Sequence, residues 1–286
     1  MRVLVTGASG QLGSELVAVF SGAHEVIACS RSTLDVGDRD ACMQMIGTAQ
    51  PDAIVHAAAW TDVDGCQTDP DRAWKVNALG TRHVAEAARL VGARICYLST
   101  DYVFDGTADR PYTEWDDTNP LSMYGRSKRA GETSLGPEDT IVRTSWVCGR
   151  HGRNFVKTVL RVVGAGTEMK VVDDQHGCPS FADDLAGMIH RLVVGRRPGL
   201  FHVTNQGPTT WYRLAADTVT AAGLDPALVT PITTAEMQPP RPAPRPANSV
   251  LDNAALRLCG LPLLDDHHVP LERLVKELMA SGNMVP

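Results

Sequence analysis

The feature that most constrains this chain is its first loop. Val3-Leu4-Val5 reads as a short buried strand that runs into Thr6-Gly7-Ala8-Ser9-Gly10-Gln11-Leu12-Gly13 and then a helix over Gln11 to Phe20. Each glycine meets a different need. Gly7 permits a tight turn, Gly10 lets the backbone approach a pyrophosphate, and Gly13 lets the helix pack close to the strand. A phosphate placed there meets the positive end of the helix, so Gln11 and Leu12 join the glycines as candidate cofactor contacts. The spacing G-x-x-G-x-x-G is shifted from the commoner dinucleotide fingerprint, and a glycine trio alone is weak. Its place in the first β-to-α turn of an alternating chain raises it above an ordinary strand–helix turn.

The alternation continues through Glu25 to Cys29 (strand), Arg39 to Ile46 (helix) and Ala53 to Ala57 (strand). One long helix is expected over Asp71 to Val91, then a strand over Arg94 to Leu98, a helix over Leu121 to Thr133 and a strand over Thr140 to Thr144. Such a pattern specifies an α/β fold, a Rossmann-type doubly wound parallel sheet with helices on both faces. From about Gly149 the pattern loosens into helices over Asn154 to Val163, Phe181 to Val193 and Trp211 to Ala222, broken by turns. The run Gln238 to Pro246, Q-P-P-R-P-A-P-R-P, excludes regular helix. The expected organisation is a dinucleotide-binding domain over 1–148 that carries the catalytic residues. A smaller C-terminal substrate-binding lobe follows over 149–286, with some segments returning to the first core.

The end of the second strand usually selects the dinucleotide. An acid there would bind ribose hydroxyls, but this chain has Cys29-Ser30-Arg31-Ser32. Arg31 can meet a 2′-phosphate with Ser30 adding a hydrogen bond, so NADPH is the expected cofactor and NADH the alternative. An ordinary exposed arginine after a strand is the competing reading. Asp35 and Val36 are placed to cup the adenine, and the small residues Ala57, Ala58 and Ala59 let a cofactor lie over the strand ends.

Tyr124-Gly125-Arg126-Ser127-Lys128 puts a phenol and an ammonium four residues apart on one helical face. The ammonium is expected to lower the phenol's pKa, so that Tyr124 exchanges a proton near neutral pH while Lys128 also holds the nicotinamide ribose. By itself Y-x-x-x-K arises by chance in many helices. It gains force from Ser99-Thr100-Asp101 at an upstream strand end, where the Thr100 hydroxyl can bond the same substrate oxygen.

Together these residues resemble the extended short-chain dehydrogenases and, among them, the dTDP-4-dehydrorhamnose reductase family. The more specific matches are Ala57-Ala58-Ala59-Trp60-Thr61-Asp62-Val63-Asp64, Val76-Asn77-Ala78, Ser99-Thr100-Asp101-Tyr102-Val103-Phe104-Asp105-Gly106 and Arg143-Thr144-Ser145-Trp146-Val147. Further along lie Asp173-Asp174-Gln175-His176-Gly177-Cys178-Pro179-Ser180 and Arg245-Pro246-Ala247-Asn248-Ser249, so the likeness spans nearly the whole chain. It implies reduction by NADPH or NADH of a 4-keto group on a dTDP-deoxysugar, giving dTDP-L-rhamnose or a near relative. It also implies catalytic roles for Thr100, Tyr124 and Lys128, sugar contacts from Asp101 and Trp146, and cofactor contacts from Thr61 and Asn77. Some members dimerise around magnesium held by glutamates. Glu15 matches one such position and Asp183 stands at a second, but no third is legible, so magnesium is not expected and no metal is assigned.

The substrate's pyrophosphate needs a local cationic partner, because the chain is acidic overall, with a formal net charge of -6. Arg241 and Arg245 are the candidates, since flanking prolines reduce the entropy lost on ordering and a guanidinium binds phosphate bidentately. A solvated connector is the plainer reading of that segment. The acidic balance also argues against nucleic acid and anionic membrane as partners, leaving a small-molecule nucleotide sugar and a monomer or homodimer. Seven cysteines without a C-x-x-C pair point away from zinc knuckles and disulfide frameworks and toward a reducing cytoplasm. No leader or membrane span is expected.

Other functions remain in view. Nucleotide-sugar 4,6-dehydratases use a Thr-Asp-Glu run, but Tyr102 stands where the glutamate would, so elimination lacks its base. A 4-epimerase is disfavoured by the distal motifs. A non-catalytic, dinucleotide-binding regulatory subunit, like that of methionine adenosyltransferase, would not require Thr100, Tyr124 and Lys128 together.

Overall fold

The computed structural model describes residues 1–281. Its first half runs β1 (Arg2–Thr6), α1 (Gln11–Ser21), β2 (Glu25–Cys29), α2 (Arg39–Ala49), β3 (Ala53–His56) and two short helices, α3 (Val63–Thr68) and α4 (Pro70–Ala73). α5 (Gly80–Val91), β4 (Arg94–Thr100), α6 (Met123–Glu132) and β5 (Thr140–Thr144) follow. The second half holds β6 (Val147–Cys148), α7 (Phe155–Gly164), β7 (Met169–Val172), β8 (His176–Gly177), β9 (Ser180–Phe181), α8 (Ala182–Val194) and β10 (Gly199–His202). It ends with β11 (Thr209–Thr210), α9 (Trp211–Ala221), β12 (Val229–Ile232), α10 (Ala254–Leu258) and α11 (His268–Ala280).

Six strands form one sheet in the order β10-β5-β4-β3-β1-β2, and every neighbouring pair is parallel. The apolar runs read as strands because both sheet faces are covered. Successive side chains alternate between faces. Val3 and Val5 pack with Leu16 and Phe20 of α1 and with Leu185 and Ile189 of α8. Leu4 points the other way, into a cluster with Ile46 of α2 and Val84 and Ala88 of α5. From β1 the chain goes to β2 on one side, and β3 then pairs on the other. That reversal opens a crevice at the carboxyl ends of β1 and β3, the place where open α/β sheets bind ligands.

The helix expected over Asp71 to Val91 is not one uniform element. α4 leads into a π-helical stretch, Trp74–Leu79, before α5 begins. The widened turn lets Asn77 turn inward. Its Nδ2 donates to the Trp60 carbonyl (3.1 Å) and to Ser127 Oγ (3.0 Å), and its Oδ1 accepts from the Trp60 amide (2.8 Å). The apolar pattern of sequence does not distinguish a π turn from an α turn, though such turns often fall at functional sites.

The second half has two destinations. α8, β10 and α10 lie on the central sheet, where Leu185, Phe201 and Leu256 share a cluster with Val3 and Val5. α7, α9 and α11 pack on one another through Val156, Leu160, Leu214, Leu271 and Val275, beside the β7–β12 pair.

Candidate functional site

A cavity of about 630 Å³ opens over the carboxyl ends of β1, β3 and β4, a size suited to a cofactor and small substrate. Gly7, Gly10, Gln11, Leu12 and Gly13 form its floor, with Ala57, Ala59 and Thr61 beside them. Gly10 is the N-cap of α1 and brings no side-chain cap to that helix end. A methyl group at Gly13 would lie 2.0 Å from the Gly7 carbonyl oxygen. Gly7 itself has φ +67, and a Cβ there would come within 2.8 Å of the Ala58 amide. The loop is thus a backbone cradle at a helix N-terminus, and it fits the pyrophosphate of a dinucleotide. Gln11 braces it, donating to the Val147 carbonyl (2.7 Å) and accepting from Asn154 (2.7 Å).

Thr100, Asp101, Tyr124, Lys128 and Trp146 converge on the same cavity. Thr100 ends β4 and donates to Asp101 Oδ1 at 2.9 Å. Tyr124 sits in the first turn of α6, capped by Ser122, whose Oγ accepts from the Gly125 amide (3.2 Å). Gly125 is required there, since a Cβ would lie 2.1 Å from the Tyr102 carbonyl oxygen.

The electrostatics differ from the sequence expectation. Lys128 Nζ donates to the Leu98 carbonyl at 2.5 Å and lies 4.2 Å above the Tyr97 ring. Burial pulls its ammonium down to about 7, against the opposing effect of Glu132. Burial likewise pushes the Tyr124 phenol well above its ordinary value, outweighing its hydrogen bond with Thr100. The phenol's pKa is thus raised rather than lowered, with desolvation as its largest cause. Asp101 is raised to about 7 by burial, against its hydrogen bond from Thr100, and its Oδ2 has no partner.

The remaining candidates lie outside the cavity lining. Ser30 Oγ pairs with Ser32 Oγ (2.8 Å), and Arg31 is exposed nearby. The Asp35 carboxylate accepts from the Gly37 amide (2.9 Å). Val36 is buried in the core against Gly80, so only its main chain is left to a base. Ala58 donates its amide to Thr6 Oγ1 (3.2 Å), and Asn77 is committed to Trp60 and Ser127.

Arg245 forks onto Asp64, with Nη1–Oδ1 at 2.7 Å and Nη2–Oδ2 at 2.9 Å, while Arg241 reaches the same carboxylate at 3.3 Å. Partial burial raises the Asp64 pKa, but the Arg245 hydrogen bond, the Ala243 amide and both guanidiniums outweigh it and hold it below its usual value. The proline-rich segment is therefore tied down on α3 rather than left as a free connector.

Trp146 was expected from sequence, but its neighbours Trp211 and Phe155, and Thr144 and Ser145, were not picked out as site residues. Trp146 takes φ +46, a left-handed conformation rare outside glycine, and stacks on Trp211 at 3.7 Å with Phe155 edge-on. Gly177 makes room, because a Cβ there would lie 2.5 Å from the indole. Thr144 and Ser145 also line the cavity. Beneath it, buried Glu132 accepts from Ser99 (2.6 Å) and from Arg143 Nε (2.9 Å) and Nη2 (2.8 Å).

The magnesium positions do not fit a cation. Both Glu15 oxygens accept from Arg150 at 2.7 Å, and Asp183 accepts from Arg273 at 2.7 Å. Guanidinium groups already neutralise the carboxylates a metal would use.

The RmlD substrate binding domain family matches residues 1–280. A dTDP-4-dehydrorhamnose reductase of Streptomyces griseus is 44% identical over 271 residues, 91% of this chain and 88% of that protein. A dTDP-4-keto-6-deoxy-D-glucose reductase of Streptomyces niveus is 42% identical over 265 residues, 91% of each chain. The crystal structure of dTDP-4-dehydrorhamnose reductase from Bacillus anthracis, in complex with NADP, superposes with a TM-score of 0.91 at 36% identity, covering 96% of this chain and 99% of that one. Glycine cradle, polar side-chain cluster and whole-chain similarity agree, and the chain belongs to the RmlD substrate binding domain family, that of the dTDP-4-dehydrorhamnose reductases.

Proposed function

We propose that this chain is an NADPH-dependent 4-keto reductase of a dTDP-deoxysugar, converting dTDP-4-dehydro-L-rhamnose to dTDP-L-rhamnose. The observation that carries the reading is the convergence of Thr100, Tyr124 and Lys128 with the glycine cradle in one cavity. When bound, the dinucleotide supplies the hydride that reduces the sugar C4. Gly7, Gly10 and Gly13 hold its pyrophosphate against α1, and Ser30 and Arg31 meet its 2′-phosphate.

Each side chain then has a task. Tyr124 gives its phenolic proton to the carbonyl oxygen as that oxygen gains charge. Its raised pKa keeps it protonated at neutral pH, which is the form a general acid needs. Thr100 bonds the same oxygen and orients it. Lys128 holds the cofactor ribose, and any charge it gains there favours proton release from Tyr124. Asp101 and Trp146 position the sugar, and the stacked Trp211 holds the Trp146 indole. Exposed Arg241 has donors free for the substrate's pyrophosphate, with Arg245 anchoring the segment through Asp64.

Tyr102 stands in place of a dehydratase glutamate, which supports reduction over elimination. Among the described residues no helix is long and apolar enough to cross a membrane. A cytoplasmic monomer or homodimer, without nucleic acid as a partner, completes the proposal. The test is NADPH oxidation with dTDP-4-dehydro-β-L-rhamnose and NMR of the product. Absence of turnover, or a product with the other C4 configuration, would overturn the assignment.

A further inference from the structure

Far from the cofactor crevice, helix α9 and the start of α11 bring together Asp217, His267 and His268. The two imidazoles stack 4.1 Å apart at 29°. One ligand atom from each, with a carboxylate oxygen of Asp217, all lie within 4.8 Å of one another. Each histidine has its Nδ1 engaged. His267 Nδ1 faces the Gln206 carbonyl at 3.2 Å, and His268 Nδ1 faces Asp266 Oδ1 at 2.6 Å. Acceptors at both Nδ1 positions leave Nε2 as the nitrogen through which each neutral ring would ligate. Metal-binding histidines are oriented in this way.

His268 Nε2 lies 3.5 Å from Asp217 Oδ2. Two ligands at about 2.0–2.1 Å from a tetrahedral zinc ion sit roughly 3.3 Å apart, so this pair is nearly at the right separation. His267 is 2% exposed, and its Nε2 is buried with no hydrogen-bond partner. A buried polar atom left unpaired is costly, and a cation would satisfy it. The outer shell is tightly built, since a Cβ on Gly207 (φ +87) would lie 2.7 Å from Asp266 Oδ2 and 2.9 Å from His267 Nδ1. Asp217 and His268 also line a cavity of about 660 Å³ shared with Glu272, where a water can complete the coordination.

We propose that Asp217, His267 and His268 form a site for one divalent zinc ion, with Asp266 and the Gln206 carbonyl orienting the imidazoles. Two neutral imidazoles and one carboxylate suit zinc rather than magnesium, which prefers oxygen ligands. The ion clips α9 to the first turn of α11. α9 also carries Trp211, so the clip stiffens the lobe that supports the Trp146 stack. The site is separate from the Glu15 and Asp183 positions, which arginines neutralise.

The experiment uses tag-free, chelator-treated protein, titrated with zinc chloride by calorimetry and by thermal melting, with magnesium chloride as control. One zinc per chain and a raised Tm are expected, with no effect of magnesium. His268→Ala and Asp217→Asn should each abolish stoichiometric binding, and Asp266→Asn should weaken it by about 10–100-fold. Asp217→Asn is isosteric at a half-exposed position, so it decides the matter should His268→Ala not fold. Failure of the wild-type protein to bind zinc one to one would overturn the proposal, as would wild-type affinity in Asp217→Asn.

Discussion

Replacing Lys128 with methionine should stabilise this protein while removing its activity. Lys128 is 2% exposed, and its ammonium has been drawn from the usual 10.5 to about 7 by burial. That interval is three and a half tenfold steps, and at about 1.36 kcal/mol each it amounts to roughly 5 kcal/mol of penalty on the charged form. The sign follows from the protons bound. Above 10.5 the amine is neutral in both states and nothing is lost. As pH falls toward 7 the unfolded chain takes up the proton and the folded one resists, so stability falls; below about 7 the loss is complete. Methionine fills similar space without the charge but leaves the Leu98 carbonyl without this donor, which returns about 1–3 kcal/mol. A net gain of roughly 2–4 kcal/mol corresponds to about 3–7 °C in Tm for a chain of this size. Melting curves of wild type and Lys128→Met near pH 6 and near pH 9.5 supply the measurement. The variant should melt higher at the lower pH, with the gap closing at the higher. A variant that melts at or below wild type near pH 6, or a gap that does not change with pH, refutes the reasoning.

Other outcomes follow from the same geometry. Tyr124→Phe should keep NADPH affinity and lower kcat by about 10²–10⁴-fold, the usual weight of a general acid, and near-normal turnover would remove Tyr124 from that role. Arg31→Ala should raise KM for NADPH more than for NADH, and most clearly at low salt, because an exposed contact is screened; equal cofactor preference in both proteins would show that Arg31 plays no part. Arg241→Ala should raise KM for the sugar nucleotide with little change in kcat or in KM for NADPH, whereas Arg245→Ala should also lower Tm because it leaves Asp64 without its bidentate partner. Gly13→Ala should abolish dinucleotide binding, as its methyl group meets the Gly7 carbonyl at 2.0 Å; retained NADPH affinity by fluorescence titration would show that the loop can give way.

What sequence conveyed about the site depended on how locally each residue's role was determined. Gly7, Gly10, Gly13, Thr100 and Tyr124 each sit at a strand end or in a first helical turn, with Lys128 one turn further along α6, and the parallel sheet brings those ends to one edge. Spacing within an element was therefore enough to place them in one cavity. Trp211 and Phe155 reach it through packing between distant segments, and no local pattern marks that, whereas Thr144 ends β5 beside Thr100 and strand-end reasoning could have found it. The Arg245–Asp64 fork joins residues 181 positions apart, so sequence offered the arginine without the carboxylate that holds it. The Lys128–Tyr124 spacing was legible, but the local dielectric was not, and desolvation reversed the expected shift of the phenol. His267 and His268 are adjacent in sequence, but the third residue of that cluster comes from another helix, so no local spacing marks it.

The cavity gathers several arrangements that the fold alone leaves unfavourable. Asp101 Oδ2 and Thr144 Oγ1 are buried without partners, burial draws the Lys128 ammonium well below its usual pKa, and Trp146 adopts a left-handed backbone. Orphan atoms do not by themselves identify a site, for Glu114 Oε2 and His202 Nε2 are also unpaired among the described residues. The distinction is that Asp101 and Thr144 line this cavity, whereas neither Glu114 nor His202 does. An unpaired group facing a cavity can be satisfied by a ligand's hydroxyl, and its desolvation has already been met in folding. The Glu132–Arg143 pair and the Asn77 brace hold the strand ends rigidly enough to keep these groups in place. Preorganisation of this kind favours a polar, hydroxyl-rich substrate over an apolar one of equal size, and it agrees with a sugar at the carboxyl end of β4.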